Sequence, residues 1–149
     1  MRPPRHGGFT LIELLVAMAI LALAYAMTAP QIAAGLSGVQ LKAAARQMAA
    51  GLRKARSEAV THKIEMALLV DVEQRQFGLN GEQHRYHLPQ DIEIGLYTAQ
   101  SELIDSKTGS IRFFPDGSST GGRVTLGRGE RKYLVDVDWM TGRVKILDR

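Results

Sequence analysis

Glu13 is the residue whose chemistry most needs a reason. It is the sole formal charge between Phe9 and Gln40, set in a run of Leu, Ile, Ala, Met and Val. An unpaired acidic side chain at the centre of a bilayer costs on the order of 2.5–3.5 kcal/mol, so such a residue calls for a cation. Directly before it stand Gly8, Phe9, Thr10, Leu11 and Ile12, and before those a short basic stretch with Arg2 and Arg5.

The remaining candidates offer less. His84 and His87 flank Tyr86 at a spacing of three, which shares a helix face, but their segment reads as strand, where they point to opposite sides. They are read as exposed histidines and no metal site is expected. Asp136 and Asp138 share a strand face without a nucleophile or matching base beside them, and read as solvated carboxylates. The glycines from Gly117 to Gly122 and the Gly127-Arg128-Gly129 turn precede no helix and lack a P-loop lysine, so turn backbone explains them. Arg123, Arg128, Arg131, Lys132, Arg143, Lys145 and Arg149 make the last third basic. Glu130, Asp136, Asp138 and Asp148 dilute that charge and no aromatic platform accompanies it, so nucleic acid is not the expected partner. No catalytic constellation, no metal and no cofactor is expected, and the chain reads as a non-enzyme.

The elements that must position Glu13 follow from the pattern. The 149 residues, 45% of them hydrophobic, fit one globular unit with a modest core. Residues 1–8 read as a leader: two prolines and the Gly7-Gly8 pair would not sustain a helix. Residues 9–36 are apolar on every face and exceed the roughly 20 residues that cross a bilayer, so a membrane helix is expected, bent at Pro30. Residues 37–62 read as an amphipathic continuation, with Leu41, Ala44, Met48, Leu52, Ala55 and Ala59 on one stripe and Lys42, Arg46, Arg53, Lys54, Arg56 and Glu58 largely outside it. From residue 63 to 149 the pattern is short antiparallel strands, giving an α+β fold in which a long N-terminal helix packs on a small β-rich head. Expected strands are 64–71, 76–79, 92–97, 110–114, 123–126, 133–138 and 143–147, with a two-residue hairpin at Asn80-Gly81 and an irregular loop from Thr98 to Gly109. With no cysteine, the chain forms no disulfide.

The order of basic leader, Gly8, Phe9 and Glu13 ahead of an apolar helix resembles the type IV pilin superfamily. The resemblance implies cleavage after Gly8 by the prepilin peptidase, methylation of the new amino terminus at Phe9, and a role for Glu13 in pairing with the N-terminal ammonium of a neighbouring subunit. It also matches Pro30 to the kink proline of many pilins. The run Ile111-Arg112-Phe113-Phe114-Pro115-Asp116-Gly117, then Val124-Thr125-Leu126, Tyr133 to Val137 and Thr141 to Ile146, is similar to the H-type minor pseudopilins of type II secretion. Three comparisons sharpen this. Major pseudopilins carry a C-terminal calcium loop that is not evident here, the K-type tip subunit lacks the acid, and many minor pilins carry a disulfide. The resemblance implies an inner-membrane, single-pass protein with a periplasmic head. Its implied partners are other major and minor pseudopilins, the prepilin peptidase and the inner-membrane secretion platform.

Two features pull the other way. Ala24-Tyr25-Ala26 resembles an ordinary signal cleavage site, against which stand Glu13 in the apolar run and helix continuing past the cut. The five basic residues after the span, Lys42, Arg46, Arg53, Lys54 and Arg56, outnumber Arg2 and Arg5, so the positive-inside rule points to the reverse orientation. The alternative function is a minor type IV pilin that binds DNA or another ligand during pilus-driven uptake.

Overall fold

The computed structural model describes residues 10–105 and 107–148, with backbone alone for 27–37. The chain divides into two compact units, 1–37 and 38–149, described separately below. One helix, α1, is assigned from Leu11 to His62, and its helical backbone continues through Pro30. The side chain of Pro30 lies outside the described residues. The helix ends where Lys63 adopts a left-handed backbone with φ of 57°, a conformation that frees the last carbonyls for capping and stops propagation.

In the second unit α1 buries one face. Leu41, Ala44, Met48, Leu52, Ala55 and Ala59 are all buried, and Ala45 and Ala49 widen the stripe. Small side chains here let the helix approach the sheet closely. A Cβ added at Gly51 would meet Leu68 at 3.3 Å and Phe77 at 3.4 Å. The charged residues leave the stripe because an ion would lose its hydration there without a partner.

The strands are β1 (Met66–Asp71), β2 (Gln76–Leu79), β3 (Tyr86–His87), β4 (Glu93–Thr98), β5 (Thr108–Phe113), β6 (Gly122–Arg128), β7 (Arg131–Val137) and β8 (Val144–Asp148). They form two antiparallel sheets, in the orders β3-β2-β1-β5 and β4-β6-β7-β8. Alternation sends Leu68, Val70, Phe77, Leu79, Ile111 and Phe113 from the first sheet, and Val124, Leu126, Val135 and Val137 from the second, into one cluster with the helix stripe. Pairings such as Leu68 with Ile111 and Val124 with Val135 keep these inward sets in register.

Two local expectations change. Asn80-Gly81 does not close a two-residue hairpin, since β2 pairs with β3 through Phe77 and Tyr86, several residues further on. A two-residue turn of that kind needs positive φ at both central residues, and only Gly81 has it, at 86°. The tight hairpin lies instead between β1 and β2, where Asp71 pairs with Gln76 and Arg75 takes the left-handed conformation. Finally, the segment 98–109 is not wholly irregular: a 3-10 turn spans Gln100–Glu102, and Glu102, only 6% exposed, accepts hydrogen bonds from Arg112 Nε at 3.0 Å and from the Ser110 hydroxyl. Arg112 also donates to Glu65 at 3.1 Å, and the Glu102 carboxylate holds the guanidinium above its ordinary pKa. The connection is thereby pinned to β5.

Leu52 is fully buried in this cluster. Leu52→Ala is expected to destabilise the second unit by about 2–5 kcal/mol. In a thermal melt of the full chain in detergent, followed by circular dichroism, this lowers Tm by about 10 °C or more. Lys42→Ala, on the exposed face, should stay within about 0.5 kcal/mol of the parent. Equal effects from the two would contradict the packing described.

Candidate functional site

Gly8 and Phe9 lie outside the described residues, which begin at Thr10. Thr10 caps α1: the Glu13 backbone N–H donates to its hydroxyl oxygen at 3.3 Å, and the Leu14 N–H donates to its carbonyl at 3.2 Å. Thr10 and Glu13 thus stand at the Thr-x-x-Glu spacing of a capping box, of which the Thr10 hydroxyl forms its half, a signal missed by reading Glu13 only as an intramembrane acid. A carboxylate in the first turn also faces the positive end of the helix dipole. Among the described residues the Glu13 side chain has no ion-pair partner, while Leu11, Ile12, Leu14, Leu15 and Val16 around it are exposed. The expected span 9–36 includes Phe9 and side chains outside the described set; among the described residues, no helix is long and apolar enough to cross a membrane.

In the second unit, polar contacts tie the helix to the head at chosen points. Arg53 Nη2 donates to the Val144 carbonyl at 3.3 Å, and Arg56 Nε donates to the Gly117 carbonyl at 3.1 Å. Gly142, with φ of 61°, is packed against that second contact so closely that a Cβ there would lie 2.2 Å from the Gly117 oxygen. Lys54 bonds Glu82 at 2.6 Å, and that carboxylate raises the lysine pKa. Arg128 donates to Gln40 at 3.2 Å and pairs with Asp91. Three helix cations that fall outside the apolar stripe, Arg53, Lys54 and Arg56, therefore hold the head.

Between the last turns of α1 and the turns at 114–118 and 138–143 lies a groove of about 680 Å³, lined by Arg53, Arg56, Ser57, Asp116, Thr141 and Arg143 among others. Each of the two turns is capped by an aspartate, of which Asp116 lines the groove. Asp116 accepts from the Ser118 hydroxyl and N–H, and Asp138 accepts from the Thr141 N–H and hydroxyl, both at 2.8 Å. Donors aimed at the ionised carboxylate depress both pKa values below the ordinary aspartate range.

The other sequence candidates resolve individually. His84 precedes β3 and meets Tyr86 edge to face, with ring centroids 4.6 Å apart, while His87 pairs in β3 with Gln76. Asp136 is not merely solvated, since Arg123 Nε donates to it at 2.8 Å, and Asp138 has left the strand to cap its turn. Among the described residues no group of three or more His, Asp or Glu side chains could hold a metal ion.

Comparison with known proteins gives concordant results. The family model described as type II transport protein GspH matches residues 44–142, and that of the prokaryotic N-terminal methylation motif matches residues 3–28. The type II secretion system protein H of Xanthomonas campestris pv. campestris is 35% identical over 138 residues, covering 93% of this chain and 81% of that protein. The solved minor pseudopilin EpsH from the type 2 secretion system of Vibrio cholerae superposes with a TM-score of 0.59 at 12% identity, covering 73% of this chain and 97% of that one. The type IV minor pilin FimU of Pseudomonas aeruginosa gives 0.58 at 13% identity, covering 74% and 90%. Both structures share the fold: a helix packed on antiparallel sheets.

The depressed Asp138 value sets a pH dependence. A carboxyl whose folded pKa lies below the unfolded one stabilises its turn above the ordinary value of 3.8, and that contribution is lost as pH falls through the folded value. The Thr141 amide resonance is expected to titrate with a midpoint below 3.8 in the parent protein, and to show no such step in Asp138→Asn.

Proposed function

The chain belongs to the type II transport protein GspH family, and from that premise we propose that it is a minor pseudopilin, made as a membrane-anchored precursor and assembled into the pseudopilus of a type II secretion system. The observation that carries this reading is the join of two matches in one chain: the methylation motif over 3–28 and the family domain over 44–142. The work of such a protein is packing and one ion pair, not covalent chemistry. It joins other major and minor pseudopilins on the inner-membrane platform and helps move folded proteins across the outer membrane.

Processing is proposed at Gly8-Phe9, with methylation of the Phe9 amine. Glu13 then supplies registry. A carboxylate and an ammonium buried in apolar surroundings each carry a desolvation penalty of several kcal/mol, and docking the two together offsets much of it while fixing the axial offset of neighbouring helices. The stripe from Leu41 to Ala59 holds the head to the helix, and Pro30 is the proposed point of bending. The head is placed in the periplasm, against the count of basic residues that flank the apolar run. A second reading, a minor type IV pilin, draws on the FimU likeness, but at 13% identity that likeness speaks to fold alone.

Gly8→Ala should leave an unprocessed precursor in the membrane, read as a shift in mass; normal processing would move the cleavage site elsewhere. Glu13→Val should be processed and inserted yet recovered in filaments at least about tenfold less than the parent, and wild-type incorporation would remove the registry role. For the orientation, an alkaline phosphatase fused after Lys63 should be active, whereas an inactive fusion that is stably made would place the head in the cytoplasm. Accumulation of exported proteins in the periplasm on deletion supports secretion; lost DNA uptake with normal export supports the pilus reading.

A further inference from the structure

The groove between the last turns of α1 and the β7–β8 turn is not accounted for by anchoring or by registry. Three arginines line it. Arg53 and Arg56 are each fixed through one nitrogen to a backbone carbonyl, and among the described residues their other N–H groups have no hydrogen-bond acceptor. Arg143 is exposed and, among the described residues, its guanidinium has no partner at all. The hydroxyls of Ser57 and Thr61 add donors. The carboxylate in the lining, Asp116, accepts from the Ser118 N–H and hydroxyl and makes no ion pair with the arginines among the described residues.

We propose that this groove is a docking site for an acidic peptide segment of a neighbouring subunit, whose carboxylates pair with Arg53, Arg56 and Arg143. The proposal rests on the filament reading above. Forked guanidiniums bind carboxylates through two parallel hydrogen bonds, and two of these forks are already immobilised, which reduces the ordering cost of binding. The groove's volume, about 680 Å³, accommodates several side chains. One wall ends at Val144, the first residue of β8, which is the outermost strand of its sheet. A nucleic-acid strand fits less well, because no aromatic residue lines the groove to stack a base.

The test uses the full chain in detergent micelles and a fluorescein-labelled hexaglutamate peptide, read by anisotropy at low salt. Saturable binding is expected, weakened at least about fivefold by Arg143→Gln and unchanged by Lys132→Gln, an exposed residue on β7 outside the groove. Arg53→Gln is expected to follow Arg143→Gln, with an unaltered melt of each variant confirming the fold. The proposal is overturned by absent saturable binding, by equal loss in Lys132→Gln, or by a short DNA duplex that binds more tightly with the same Arg143 dependence. Because the readout needs neither processing nor secretion, its failure alongside normal filament incorporation removes the groove assignment and leaves the pseudopilin reading standing.

Discussion

Burial of the helix stripe from Leu41 to Ala59 against two antiparallel sheets is the contact on which the remaining arrangement rests. Neither sheet is closed, and each presents an apolar face made by alternate residues of its strands. The helix covers both faces at once. It can do so because its stripe is rich in alanine, with Gly51 where Leu68 and Phe77 come nearest. Larger residues along the same line would hold the helix off the sheets and open voids whose lining loses its dispersion contacts.

Magnitudes separate this packing from the ion pairs around it. The Lys54–Glu82 pair has side chains 49% and 37% exposed, a setting in which solvent screening leaves such a pair only a small net contribution. A buried leucine in the stripe contributes several times that. The polar contacts are better understood as setting direction: Arg53 reaches the carbonyl of Val144 at the start of β8 and Arg56 that of Gly117 in the 114–118 turn, and Gly142 must be glycine for that turn to come near enough. Apolar area decides that the helix stays, and the arginines decide how the turns are placed around its end.

Much of this was legible in the sequence, because it depends on period. The three- and four-residue recurrence of the stripe coincides with the buried face, and most strands fall within a residue or two of their apolar alternation. What was not legible depends on partners distant in sequence. Asn80-Gly81 has the composition of a tight hairpin, yet the strand that pairs beyond it begins only at Tyr86, whose ring stacks on Phe77 with centroids 5.4 Å apart. Glu102 looked like a loop acid, and only the approach of Arg112 and Ser110 from β5 allows its burial. The arginine groove escaped notice for a similar reason: Arg143 lies far along the chain from Arg53 and Arg56, and charges on an amphipathic helix ordinarily signify solvent.

Glu13 shows how one residue type can meet two requirements whose physics is related. In the chain as described it sits in the first turn of α1, where unpaired N–H groups and the helix dipole favour negative charge. On the proposed processing, Phe9 would begin the mature chain, one residue before the Thr10 cap, and would put an ammonium at that same positive end. Its own helix therefore disfavours the new charge, and the nearest remedy of suitable sign is a carboxylate. A subunit's own Glu13 is tied by sequence to the first turn, whereas a neighbour's can be presented end-on by sliding one helix along another. On this proposal, association would relieve the electrostatic discomfort of a processed terminus, would give assembly a driving force that the precursor lacks, and would make cleavage the natural point of commitment.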